Sequence, residues 1–180
     1  NLKFQNIIAD PKKNNFSFYS NVKIITPNLN ELQRTTKIEL KDFDSIQKAC
    51  NEILIKTNLE YIIAKMGEKG MMVVGKNNFL KIIDPHFVKK PDVTGAGDTV
   101  IAAFSLAYAQ YEDVELAAKV ANAAASIVVS KMGTATVKIH EIESLLTKQF
   151  FSYLSCGNFT NIFRWKMFNN IISNTSSIIY

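Results

Sequence analysis

What the chain has little of narrows it first. Its 180 residues include two cysteines and two histidines. Cys50 and Cys156 lie far apart and in no motif, so free thiols in a cytoplasmic setting are the simplest reading. His86 and His140 can form neither a metal cluster nor a nucleophile–histidine pair with those cysteines, and both read as surface or loop residues. No apolar run is long enough to span a bilayer, so no membrane partner is expected. The start, Asn1-Leu2-Lys3-Phe4, has neither an initiator methionine nor a signal-peptide pattern and reads as a chain entered part-way through. The formal charge is a modest +5. The lysines come singly or in pairs, which gives no nucleic-acid patch. Lys89-Lys90 is the pair best placed to meet a phosphate. Acidic residues are absent from the end: Phe150 to Tyr180 holds only two charged residues, Arg164 and Lys166.

What is present suffices for a core. Hydrophobic residues make up 47%, the level of a soluble globular domain. Residues 1–149 read as one domain. Residues 150–180, rich in Asn, Ser, Phe and Ile without a helical or strand period, read as an atypical tail.

Along the chain, Phe4–Ala9 is a short apolar run stopped by Asp10-Pro11, a buried strand ending in a loop. Residues 12–21 suggest a loop or short helix. Val22–Ile25 is a second strand, and Asn28-Leu29-Asn30-Glu31-Leu32 starts a helical turn just beyond it, where open α/β sheets place ligand groups. Asp42 is set to cap a helix running to about Asn58, with Phe43, Ile46, Cys50, Ile53 and Leu54 on one face. Tyr61–Ala64 is a third strand. Residues 65–70 form a loop, and Met71–Val74 with Phe79–Ile83 form a hairpin. Gly70–Lys76 fits the opening of a phosphate-binding P-loop, but its interior is Met-Met-Val-Val and Asn77 follows the lysine, so it is a strand and turn.

The stretch around which the rest is arranged is Asp92-Val93-Thr94-Gly95-Ala96-Gly97-Asp98. It opens directly into the apolar segment Thr99–Phe104. A glycine-bearing turn feeding a helix presents bare N–H groups to an anion. The helix from Asp98 to about Gln110 is apolar nearly all round and is expected to be buried. Asp113 caps a further helix to about Lys131, interrupted by one polar residue, Asn122, and ended by Gly133. Residues 134–139 are extended, and 141–149 form a last short helix.

These residues resemble the ribokinase-like (PfkB) sugar kinases. Asp92–Phe104 fits that family's C-terminal signature. Asn28-Leu29-Asn30-Glu31 matches its N-x-x-E motif, and Gly67-Glu68-Lys69-Gly70 resembles its nucleotide loop. Ala121–Ala125 with Lys131-Met132-Gly133 resembles the segment that closes over the nucleotide. Ile25–Leu29, Asp92–Ile101 and Val128–Val137 look most like the heptose-7-phosphate kinase branch, the kinase half of bifunctional proteins of ADP-heptose synthesis. The resemblance covers roughly residues 5 to 148. It implies a three-layer α/β ribokinase-like fold, here its C-terminal nucleotide-binding half, with a mostly parallel sheet plus a β-hairpin. Neither the family's N-terminal half with its sugar-binding residues nor a nucleotidyltransferase motif is found, and an exposed sheet edge with self-association is expected.

The resemblance also implies roles. Asp98 would be the base, and the N–H groups of Gly95, Ala96 and Gly97 the anion hole. Asn28 and Glu31 would hold Mg²⁺ through water, and would act on the nucleotide together with Lys65, Gly67, Gly70 and Asn122. Asp92, with Thr94, Val128, Lys131 and Gly133, would supply a monovalent-cation site, for K⁺. The plainer alternatives are a helix-capping pair for Asn28 and Glu31, a strand-to-strand turn for Gly67 and Gly70, and a buried helix contact for Asn122. The implied activity is ATP-dependent phosphorylation of heptose 7-phosphate at its anomeric hydroxyl. The alternatives are a non-catalytic nucleotide-binding remnant or half of a split kinase, and another sugar or nucleoside kinase of the family. The implied partners are ATP and a sugar phosphate, with a homo-oligomer or a separate N-terminal half.

Overall fold

The computed structural model describes residues 7–155, except 14, 20, 90, 132 and 134, with side-chain environments up to residue 148. Lys90, Cys156, Met132 and the tail beyond Ser155 lie outside the described residues, as does the first part of the Phe4–Ala9 run. The chain divides into two compact units between Thr136 and Val137.

The first unit is built on a five-stranded sheet in the order β1 (Ile8–Ala9), β2 (Ile24–Ile25), β3 (Tyr61–Lys65), β4 (Met71–Gly75) and β5 (Phe79–Ile83). β1, β2 and β3 run parallel, while β4 and β5 return antiparallel as the expected hairpin. The sheet is thus parallel only at its start. Its edges are β1, two residues long, and β5, which carries the exposed Lys81; short and charged edges blunt strand-to-strand pairing.

Period-two alternation splits the strands between two cores. On one face Ile25, Ile62, Ala64, Met72 and Val74 meet Leu32, Ile46, Cys50, Ile53 and Leu54. These come from α1 (Leu29–Thr36) and α2 (Phe43–Lys56). On the other face Ile24, Ile63, Met71, Val73 and Ile83 meet Val100, Phe104, Ala107 and Tyr108 of α3 (Ala96–Tyr111), with Ala117, Ala118 and Ala121 of α4 (Val114–Val129). The result is the three-layer arrangement that the alternating elements suggest.

Local chemistry sets the boundaries. Asp42 caps α2 through the Ser45 N–H at 2.8 Å, and the Ser45 hydroxyl oxygen accepts from the Asp42 N–H in return. Asp113 caps α4 through the Leu116 N–H at 2.9 Å. Two expectations are corrected. Phe43 does not join the inward face of α2; it is 43% exposed, because as the first helical residue it precedes the turn that carries the stripe. α3 is not buried all round, since Leu106 is 69% exposed on the side away from the sheet.

In the second unit, α5 (Ile139–Ser155) runs further than the short helix read from the sequence. It crosses the compositional change at residue 150 without a break. The Glu141 carboxylate accepts from the Lys138 N–H at 2.8 Å at its start.

Candidate active site

The parallel strands end at one place, and the charged residues gather there. Asp10 follows β1, Thr26 and Asn28 follow β2, and Lys65 closes β3. The carboxyl ends of parallel strands are where such sheets hold ligands. The Lys65 N–H donates to the Pro27 carbonyl at 2.8 Å, and Asn28 and Lys65 form a parallel bridge that draws the two strand ends together.

Asn28 and Glu31 form a reciprocal capping box at the start of α1. Asn28 Oδ1 accepts from the Glu31 N–H at 2.9 Å, and Glu31 Oε2 accepts from the Asn28 N–H at 2.7 Å. The plainer capping alternative is therefore realised in the free chain. It uses one oxygen of each side chain and leaves Glu31 with its second carboxylate oxygen. That donor set, one amide and one carboxylate fixed on a single turn, fits an outer-shell hold on a hydrated Mg²⁺.

Of the residues that join this turn to its neighbours, sequence reasoning singled out Lys65 and missed Asp10, Lys12 and Thr26. Asp10 Oδ1 accepts from Lys65 Nζ at 2.6 Å and from the Thr26 hydroxyl at 3.0 Å, and Oδ2 accepts from Lys12 Nζ at 2.7 Å. Burial pushes the Asp10 carboxyl up, but the hydrogen bonds from Lys12 and Lys65, the Lys65 charge and the Thr26 hydroxyl outweigh it and leave it lowered. Lys12 is raised, first by its hydrogen bond to Asp10, with Glu31 and Asp98 adding through their charges. The signal available in the sequence was the position of Asp10-Pro11-Lys12 at the end of a strand in a parallel sheet.

The glycine turn completes the site. Gly95 occupies the N-cap position of α3 in the left-handed region, with φ 74°. A Cβ there would meet nothing within 4 Å, so the open side faces away from the chain. Gly97 and Asp98 occupy the first turn, whose N–H groups no intrahelical carbonyl can reach. No described residue accepts from either. Of the three residues read as an anion hole, Gly95 and Gly97 keep N–H groups that no described residue accepts from, while the Ala96 N–H donates to the Val93 carbonyl at 3.2 Å. Asp98 itself is exposed. A Cβ on Gly97 would come within 3.8 Å of Lys65 Nζ, which places the ammonium at the mouth of α3.

The remaining predicted residues form two further groups. Gly67 lies in a short 3₁₀ turn with φ 63° and open space on its missing side. Gly70 differs: a Cβ there would collide with the Ile83 carbonyl oxygen, so the hairpin itself requires the glycine. Asn122 is buried and its Nδ2 donates to the Asp84 carbonyl at 2.8 Å, tying α4 to the end of β5. In the second group Asp92 accepts from the Thr94 N–H at 3.1 Å and from the Gly133 N–H at 2.8 Å, and its own N–H donates to the Val129 carbonyl at 2.8 Å. The Thr94 and Gly133 bonds hold the Asp92 carboxyl low. Asp92, Thr94 and Gly133 are thus brought together by the Thr94 and Gly133 N–H groups, one on each oxygen of the Asp92 carboxylate. The Val128 carbonyl already accepts from Ser130 and Lys131, while Lys131 Nζ binds the Thr136 carbonyl at 2.8 Å.

Residues 3–141 match the model of the pfkB family carbohydrate kinases. The chain belongs to that family. Among its relatives are bifunctional proteins HldE of Campylobacter concisus, 37% identical over 144 residues, and Sulfurimonas denitrificans, 39% identical over 137. These alignments cover 80% and 76% of this chain but 30% and 28% of the relatives, so the chain spans less than a third of their length. The PfkB fold is equally plain in solved structures. The ribokinase of Arabidopsis thaliana complexed with ribose and ATP superposes with a TM-score of 0.72 at 25% identity, over 78% of this chain and 47% of that one. The ribokinase of Thermotoga maritima gives 0.71 at 30% identity, over 81% and 50%. The Escherichia coli phosphofructokinase-2 in complex with potassium gives 0.62 at 25%, over 74% and 41%. The ribokinase-like fold expected from the motifs is the fold observed. No helix among the described residues is long and apolar enough to cross a membrane.

Proposed function

We propose that this PfkB chain serves ATP-dependent transfer of the γ-phosphoryl group to the anomeric hydroxyl of heptose 7-phosphate. The observation that carries the reading is the exposed Asp98 carboxylate in the first turn of α3, beside unpaired N–H groups and close to two lysines. The likeness to HldE proteins supports the choice of sugar.

Phosphoryl transfer asks the protein for positioning and charge stabilisation. The sugar oxygen forms a bond to the γ-phosphorus as the bond from that phosphorus to the β,γ-bridging oxygen breaks, and ADP leaves. Asp98 takes the hydroxyl proton. The N–H groups of Gly95, Gly97 and Asp98, with the α3 dipole, face the charge on the transferring group. Mg²⁺, when bound, neutralises phosphate charge, and Asn28 and Glu31 would hold it through water. K⁺ would lie at Asp92, Thr94 and Gly133. Gly67 would let its loop lie against the nucleotide. Residues 1–149 would form the kinase part, in the cytoplasm where ATP is available.

The test is ADP release by the full chain with heptose 7-phosphate, ribose and fructose 6-phosphate, alongside direct ATP binding. Asp98→Asn is expected to lower turnover by about 10³-fold while ATP binding is retained. Turnover with ribose or fructose 6-phosphate in place of heptose 7-phosphate would overturn the choice of sugar. ATP binding without turnover of any sugar would assign the chain a nucleotide-binding role alone.

A further inference from the structure

We propose that Asp10 is a positioning residue that sets the ammonium group of Lys65 at the mouth of α3, where it takes the terminal phosphates of the nucleotide. The proposal rests on the phosphoryl-transfer reading above and adds residues to it.

The Asp10 side chain is only 8% exposed and that of Lys65 14%. A carboxylate tying β1 to β3 needs one cation. Asp10 has two, at 2.6 and 2.7 Å, so this trio carries one net positive charge, with the Glu31 and Asp98 carboxylates acting on Lys12. Removing charges from water is costly unless every group is held, and here the Thr26 hydroxyl, itself fully buried, fixes the carboxylate from a third direction. Lys65 Nζ lies at the Gly97 turn, whereas the Lys12 side chain is 72% exposed.

Lysine is a flexible cation with three donors. Asp10 engages one donor of Lys65 and removes the freedom of the long stem. The other donors remain for an anion, and an ammonium already in place binds with less loss of entropy. Lys12 approaches the same carboxylate from the solvent side and feels both Glu31 and Asp98. A phosphate chain lying between Asn28–Glu31 and Gly95–Asp98 would then meet the Lys65 ammonium.

The full chain is titrated calorimetrically with ATP, adenosine and inorganic tripolyphosphate, with folding followed by circular dichroism. Lys65→Met is expected to weaken ATP and tripolyphosphate binding by about tenfold and to leave adenosine unchanged. Asp10→Asn should weaken both phosphates similarly, although it adds a unit of positive charge. Asp10→Glu should restore part of the loss. A carboxylate with a merely structural role gives the opposite sign, so tighter or unchanged phosphate binding in Asp10→Asn overturns the proposal. Should that variant fail to fold, Lys65→Met decides alone, and ATP affinity equal to wild type overturns it. Lys65-dependent binding of tripolyphosphate without binding of ATP or adenosine would uphold the anion site and sink the kinase reading. ATP binding insensitive to Lys65 and Asp10 would do the reverse.

Discussion

At the scale of single residues, Asp10 makes the site's electrostatics measurable. Its carboxyl is held below its ordinary value, so it is ionised in the fold at pH values where the unfolded chain is already protonated. A depressed carboxylate contributes stability in full above its unfolded pKa and loses it as pH falls through the folded one. Chemical denaturation as a function of pH should therefore show wild type losing more stability on acidification than Asp10→Asn. The two curves should converge once the folded carboxyl is protonated. The difference at neutral pH is expected to be about 2 kcal/mol, since one partner of a largely buried pair is removed. Asp10 was the residue least legible beforehand. It lies 55 positions from Lys65, and only the parallel register of three strands brings them together. Asp98 was legible because everything that marks it, two glycines and an apolar helix, is local.

At the scale of elements, period and capping signals were enough to find the described strands and α-helices, while the 3₁₀ turn Gly67–Lys69 was read as a loop. Boundaries moved by a few residues, as in α5, which continues through residue 150. The glycines divide according to what lies opposite them, which no sequence pattern reveals. Gly67 and Gly95 share positive φ and an open side, whereas Gly70 faces the backbone of the β5 end. Gly70→Ala should thus destabilise the β4–β5 hairpin by more than 3 kcal/mol on the order-of-magnitude scale of backbone clash plus strain. Gly67→Ala should cost only about 1 kcal/mol, the strain of a left-handed non-glycine residue. Equal losses in urea denaturation would contradict this division. The Asn122 amide belongs with Gly70, since both fasten the Asp84 segment.

For the molecule as a whole, the sheet separates two cores that can be followed independently. Cys50 is fully buried in the α1–α2 core, and burial pushes its thiol up to about 12. In a Cys156→Ser background, modification by a thiol reagent should be negligible in native buffer. Its rate should rise with urea only as the first unit unfolds. Rapid labelling under native conditions would show that the α1–α2 layer opens locally. The two faces also come from different stretches of chain: residues 29–56 cover one side and 96–129 the other. Asp10, Thr26, Asn28, Glu31 and Lys65 all precede the hairpin, while the glycine turn and Asp98 follow it and are fastened to the end of α4 through Asp92 and Gly133. In the proposed reading, the cationic strand ends and the base are therefore written in two consecutive, non-overlapping parts of one polypeptide. A shift of α3 and α4 against the sheet would change the rate of chemistry while leaving the cationic strand ends intact. Evolution could alter one property without rewriting the other.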